Sequence, residues 1–244
     1  MAESCLVQKL GHYVDLNESD KQALARLEEE EESYDARKLV FETGGTSDRL
    51  WVIKSGWGVS SIPHVDGRRQ VVRVHLPGDV VGLPEIALKS AATTFETVTR
   101  CCLCPFPKRR LDGVFSNHPR LAALMFTIAL REQVILIDTQ KALGRMDARE
   151  RLAHFLLDIL ARLRITMGPE TDRMRMPMNQ SDIGDHMGLT NVTVSKTLMR
   201  MELDGLIGRR CGNILFADEA RMVTLCGFRD RYRDLDTSWF PADG

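Results

Sequence analysis

Residues 178–207, MNQSDIGDHMGLTNVTVSKTLMRMELDGLI, constrain the fold of this chain more than any other stretch. A first helix is expected over about Ser181–Met187, where Ile183 and Met187 stand four apart on one face. Gly188 follows where a left-handed residue ends a helix at little cost. Leu189 is placed to plug the space between two helices, and Thr190 or Asn191 to cap a second one. On that helix Val194, Leu198 and Met201 point inward, and Asn191, Val192, Ser195, Lys196 and Met199 outward. After Gly205, Leu206 and Ile207, the run from Arg209 to Phe216 reads as a β-hairpin turning at Gly212-Asn213. This is the pattern of a winged helix-turn-helix, whose second helix enters the DNA major groove. An ordinary amphipathic helix pair is the alternative. Against it, Gly184 sits where two helices must approach closely, and the outward side chains are short, polar and weakly charged. Such groups suit base edges and phosphates better than bulk solvent.

With 244 residues and 43% hydrophobic content, the chain is long enough for two domains with real cores. No run of about 18 apolar residues is present, so no membrane span is expected. Met1-Ala2-Glu3-Ser4-Cys5 has neither the basic nor the apolar region of a secretory signal, which makes a cytoplasmic protein the expectation. The net charge of −1 gives no bulk attraction for nucleic acid. Any such attraction must be local, and Arg173, Arg175, Lys196, Arg200, Arg209 and Arg210 cluster around the motif. Few phosphate contacts per subunit favour a dimer on two half-sites. The nucleophile-elbow, P-loop and zinc-protease motifs are missing, so no enzyme is expected.

Upstream, a helix is expected near Glu18–Glu32, capped by Asn17 or Ser19, with Leu24 and Leu27 inward and the acidic run Glu28–Glu32 as its solvated end. From Leu39 to about Phe106, short β-branched runs alternate with glycine turns, the texture of a barrel or jelly roll. Asp66-Gly67 is a hairpin signal. Helix returns at Leu111–Ser116, then in a long element opened by His118-Pro119 and running to about Gly144. Its stripe Leu121, Met125, Ile128, Ile135 and Ala142 suits packing on a twin helix, the alternative being burial against its own β-domain. Asp147 caps a helix over Ala148–Arg164, and Thr166–Pro177 reads as a loop. The expected fold class is α+β: a β-roll domain (1–117), a dimerisation helix (118–146) and a winged helix-turn-helix domain (147–244).

This order resembles the CRP/FNR family of bacterial transcription regulators. The resemblance is carried by Gly44-Gly45, Leu50-Trp51-Val52-Ile53-Lys54-Ser55-Gly56, Asp66-Gly67-Arg68, Leu76-Pro77-Gly78-Asp79-Val80-Val81-Gly82 and Ala148-Arg149-Glu150-Arg151-Leu152-Ala153. In the motif it rests on Asp182-Ile183-Gly184, Gly188-Leu189-Thr190, Thr193-Val194-Ser195-Lys196 and Gly205-Leu206-Ile207. It implies a homodimer on a palindromic promoter site that contacts RNA polymerase. Repression by promoter occupancy is equally compatible with these residues. By resemblance Gln180, Thr190 and Thr193 meet phosphates, and Asn191, Val192, Ser195 and Lys196 meet bases. The family commonly has Glu at the place of Val192 and Arg at that of Lys196. Val192 can touch a thymine methyl but accepts nothing, and Lys196 is a point donor without the bidentate fork of arginine. Asn191 aimed at a base would favour adenine.

The signal stays open. Cyclic-nucleotide members resemble one another in a phosphate cassette ending in Arg-Ser, and no arginine occurs between Val80 and Thr99, which argues against cAMP. Only Cys5 lies near the N-terminus, against an iron–sulfur cluster of the N-terminal type. Cys101, Cys102 and Cys104 are candidate redox or metal-binding thiols, with small apolar core residues as the alternative. No pair of histidines stands at haem-ligand spacing. A metabolite, or no effector, is the remaining reading. The competing function is a β-roll sensor or scaffold that acts through protein partners without specific DNA binding.

Overall fold

The computed structural model describes residues 4–241. The chain divides into two compact units, one of residues 4–128 with 235–241 and one of residues 129–234. The cut falls inside the long helix rather than at its ends.

The first unit opens with α1 (Cys5–Leu10) and α2 (Glu18–Arg26), capped by the side chains of Ser4 and Asn17. Eight strands follow: β1 (Glu32–Tyr34), β2 (Leu39–Phe41), β3 (Arg49–Ser55), β4 (Gly58–Pro63), β5 (Arg69–His75), β6 (Val80–Val81), β7 (Thr94–Thr97) and β8 (Cys101–Pro107). They form two four-stranded antiparallel sheets, ordered β1-β8-β3-β6 and β2-β7-β4-β5. This is the expected β-roll. The two faces of β8 serve different cores, as strand alternation requires. Cys101 and Leu103 pack with Ile53, Val81 and Phe95. Cys104 and Phe106 pack with Leu50, Val52 and the helices, including Leu111 of α3 (Leu111–Asn117) and Leu121 and Leu124 of α4 (Pro119–Arg145). Leu235 and Phe240 join that second core.

Two expectations fail in this unit. The helix ends at Arg26, so the acidic run is not its solvated end. Glu28 is buried instead, and accepts from the backbone N–H of Leu6 at 2.8 Å, that of Cys5 at 3.2 Å and the Ser4 hydroxyl at 2.8 Å. A buried carboxylate needs such donors, and the N-terminus of α1 supplies them. The stripe on α4 is also not free. Leu121, Ile135 and Ala142 are buried, and Met125 and Ile128 pack on the second core, covered by the chain's own side chains. The apolar side chains that α4 leaves exposed are Phe126, Leu130, Val134, Leu136 and Ile137.

The second unit is built on α5 (Ala148–Met167), opened by a capping box between Asp147 and Glu150. Around it lie β9 (Arg173–Arg175), α6 (Gln180–Met187), α7 (Asn191–Leu203), β10 (Ile207–Arg210), β11 (Asn213–Phe216) and α8 (Glu219–Cys226). Arg164 of α5 grips Glu219 of α8 through two hydrogen bonds of 2.7 Å. The segment read as a loop contains β9, which pairs with β11 to make the wing sheet three-stranded. Among the described residues no helix is long and apolar enough to cross a membrane.

Candidate nucleic-acid interface

Every local signal at the motif agrees. Asn179 caps α6 and exchanges hydrogen bonds with Asp182. Ile183 and Met187 are buried. Gly188 ends the helix in the left-handed region, at φ 64° and ψ 36°. Gly184 is required by the turn rather than by the second helix. A Cβ there would lie 2.5 Å from the carbonyl oxygen of Leu189, whose own N–H donates to Gly184 at 3.0 Å. Thr190 then caps α7, accepting from the Thr193 N–H at 3.1 Å while the two hydroxyls pair at 2.8 Å.

Val194, Leu198 and Met201 are buried, which turns the opposite face of α7 to solvent. Asn191, Val192 (57% exposed), Lys196 and Met199 (51% exposed) lie there, with Ser195 half-buried beside them. Gln180 is the exposed first residue of α6. The structure therefore brings all seven residues expected to meet DNA to one helix-turn-helix, with Thr190 and Thr193 occupied in capping α7.

The wing turns one residue earlier than expected. Arg210 pairs with Asn213, leaving Cys211 and Gly212 as the turn, both with positive φ (50° and 76°). That is the two-residue turn whose twist matches the strands it joins. One face of the wing sheet buries Met174, Ile207, Ile214 and Phe216. The register places Arg173, Arg175, Asn213 and Arg210 on the other. Of the six basic residues around the motif, Arg173 pairs with Asp172, Arg200 with Asp204 and Arg209 with Glu202. The Arg209 guanidinium holds the Glu202 carboxyl below the usual range. Lys196, Arg175 and Arg210 make no ion pair among the described residues. Composition shows six candidates; only the structure separates three bound arginines from three cations left for a partner.

Of the three candidate thiols, Cys101 and Cys104 are buried. Cys101 donates toward the carbonyls of Trp57 and Thr99, and burial pushes its pKa up. Burial, with Glu28 next, pushes Cys104 up to about 12. Cys102 is half-buried beside Glu31, and burial, then that carboxylate, raises it too. Reactive thiols need the opposite shift. Among the described residues no group of three or more His, Cys, Asp or Glu is arranged to hold a metal ion. Among the histidines, His75 meets Ser60 at 2.8 Å, His118 meets Asp20 at 2.7 Å, and His186 lies against the Phe155 ring.

In the β-roll, residues 82–93, where the family resemblance puts the phosphate cassette, contain a 3-10 turn over Pro84–Ala87. Glu85 is 3% exposed, and its carboxylate accepts from Thr93 at 2.7 Å. It lines a small cavity with Phe41, Ser47, Arg49, Trp51 and Gly82, which has room for about one water.

A β-roll, a long helix and a winged helix-turn-helix with a free reading face define a class of DNA-binding regulator. Residues 150–225 match the Crp-like helix-turn-helix domain and residues 31–118 the cyclic nucleotide-binding domain. The chain is 30% identical over 219 residues to the transcriptional activator protein FnrL of Cereibacter sphaeroides, covering 85% of this chain and 86% of FnrL. It is 34% identical over 160 residues to the nitrogen fixation regulation protein FixK of Bradyrhizobium diazoefficiens, 66% of each chain. The solved structure of FixK2 from Bradyrhizobium japonicum is similar with a TM-score of 0.72 at 28% identity, covering 80% of this chain and 96% of that one. The chain belongs to the CRP/FNR family of transcription regulators, which bind DNA through the helix-turn-helix and act as dimers; it is a regulator and not an enzyme.

Proposed function

We propose that this protein acts in the cytoplasm on a palindromic promoter site, placing one α7 in each of two successive major grooves. The observation that carries this reading is the outward face of α7, where Asn191, Val192, Ser195 and the unpaired Lys196 stand together on a helix fixed by its cap and buried side. Gln180, Thr190 and Thr193 would meet phosphates. Val192 would read a thymine methyl, Asn191 an adenine and Lys196 a guanine acceptor. The dimer would close on α4 through Phe126, Leu130, Val134 and Ile137, exposed at intervals of four, four and three. Activation would follow from contact with RNA polymerase.

The test is selection of bound DNA from a random pool by the purified protein, repeated with Lys196→Ala. A palindrome whose discrimination weakens in the variant supports the reading. No enriched sequence and no salt-dependent binding would favour the scaffold reading.

A further inference from the structure

The segment after α8 is not needed to complete a winged helix-turn-helix, yet it is tightly built into the second unit. Gly227 ends α8 at φ 60° and ψ 38°, and the chain turns back. Tyr232 is only 2% exposed although it lies in no helix or strand. Its N–H donates to Asp230 at 2.8 Å, and its hydroxyl donates to Asp158 of α5 at 2.7 Å. The guanidinium carbon of Arg131, on α4, lies 4.9 Å from the centre of its ring. Arg231 donates to both carboxylate oxygens of Asp138 on α4, at 2.8 and 3.3 Å. Phe228 meets His154 of α5 edge to face, with centroids 5.5 Å apart. Phe228 and Tyr232 share one apolar cluster with Ile135, Ala161 and Ile165.

These contacts come from one face of each helix. α4 offers Arg131, Ile135 and Asp138, at i, i+4 and i+7. α5 offers His154, Asp158, Ala161 and Ile165, at i, i+4, i+7 and i+11. The two helices are joined at Met146-Asp147, where Arg151 holds the Met146 carbonyl at 2.9 Å and the Met187 carbonyl at 3.1 Å. Along α4 at 1.5 Å per residue, Asp138 lies about 12 Å and Arg131 about 22 Å from that joint. A filler that far from a hinge sets the angle between its arms.

We propose that Arg231 and Tyr232 are positioning residues that wedge α4 from α5 and so set the half-site spacing the dimer reads. The inference rests on the proposed function, since it needs α4 as the seam and α7 as the reader. α6 and α7 pack on α5, so the α4–α5 angle fixes where α7 points relative to the seam. Two recognition helices must present themselves about 34–36 Å apart to reach successive major grooves.

The experiment uses the full-length protein and its selected palindrome, with the centre lengthened or shortened by one or two base pairs. The parent is expected to show a sharp optimum. Tyr232→Ala and Arg231→Ala are expected to lose about tenfold in affinity at that optimum and much less at neighbouring spacings, flattening the profile. Tyr232→Phe keeps the ring and is expected to lose only about two- to threefold. Non-specific binding and its salt slope should not change, because the phosphate contacts of each half are intact. Where Tyr232→Ala fails to fold, Arg231→Ala carries the test, its side chain being 32% exposed. A lower melting temperature with an unchanged spacing profile would overturn the inference. A parent without a preferred site would instead overturn the reading beneath it, and this inference with it.

Discussion

At the scale of residues, Gly184 shows how one missing side chain holds the motif together. The atom that a Cβ would strike is a backbone oxygen, that of Leu189 at 2.5 Å, and no rotamer change can relieve the clash. Alanine is the better helix former by about 1 kcal/mol, and on an open helix Gly184→Ala would stabilise. Here the turn must move, and overpacking of this kind costs about 1–3 kcal/mol. Gly184→Ala is therefore expected to lower the urea midpoint of the second unit and to weaken specific DNA binding. An unchanged midpoint would mean that the turn gives way freely. The three unpaired cations illustrate a different point. Lys196, Arg175 and Arg210 cannot be told by sequence from Arg173, Arg200 and Arg209, because the acids that neutralise the latter, Asp172, Asp204 and Glu202, are chosen by rotamer and register.

At the scale of elements, α4 shows where periodicity stops informing. Its apolar side chains occupy more than one face, so spacing alone does not reveal which face the chain covers itself. Burial does: Phe126 (56% exposed) and Ile137 (61% exposed) lie outside both cores. Leu130→Glu with Ile137→Glu is expected to give monomers in analytical ultracentrifugation and to abolish binding to a two-half-site DNA. Leu121→Glu should instead unfold the first unit. A dimer that survives the double substitution would sink the assignment. By contrast α6 and α7 were legible residue by residue, because caps, turn glycine and apolar spacing all agree. β9 was not, since Arg-Met-Arg carries no period of its own and is a strand only because β11 offers an edge. The tail after α8 was silent for the same reason: its burial depends on partners in α4 and α5. Those partners also set a pH response. Burial holds the His154 imidazole below its ordinary pKa, with Lys141 acting in the same sense and Asp158 and Asp138 opposing. The unfolded chain therefore takes up a proton near pH 6.5 that the folded chain resists. The resulting stability is complete above about pH 6.5 and is lost as pH falls toward the depressed folded value. Chemical unfolding between pH 7.5 and 5 should show a slope that His154→Phe, which keeps an aromatic partner for Phe228, makes shallower.

At the scale of the whole molecule, the net charge of −1 leaves the chain without a general pull on nucleic acid, so binding depends on a few cations held in one place. The same economy bears on the first unit. Its fold is that of a cyclic nucleotide-binding domain over residues 31–118, but fold and ligand are separable. A cyclic phosphate buried in such a roll needs a charged donor, and a guanidinium is the natural one. The equivalent stretch presents the Glu85 carboxylate, buried and already accepting from Thr93, in a cavity with room for about one water. An incoming phosphate would meet the like charge of Glu85 in a cavity too small to hold it, so the Arg49 guanidinium that also lines the cavity would have to offset both that repulsion and the desolvation. Cyclic AMP and cyclic GMP at millimolar concentration are therefore expected to leave the melting temperature and the affinity for the selected palindrome unchanged. The comparison is sensitive, because a ligand at a hundred times its Kd stabilises by about 2.7 kcal/mol, a shift of several degrees for a domain of this size. A shift of that kind with either nucleotide would require Glu85 to leave the cavity, and would return the first unit to nucleotide sensing.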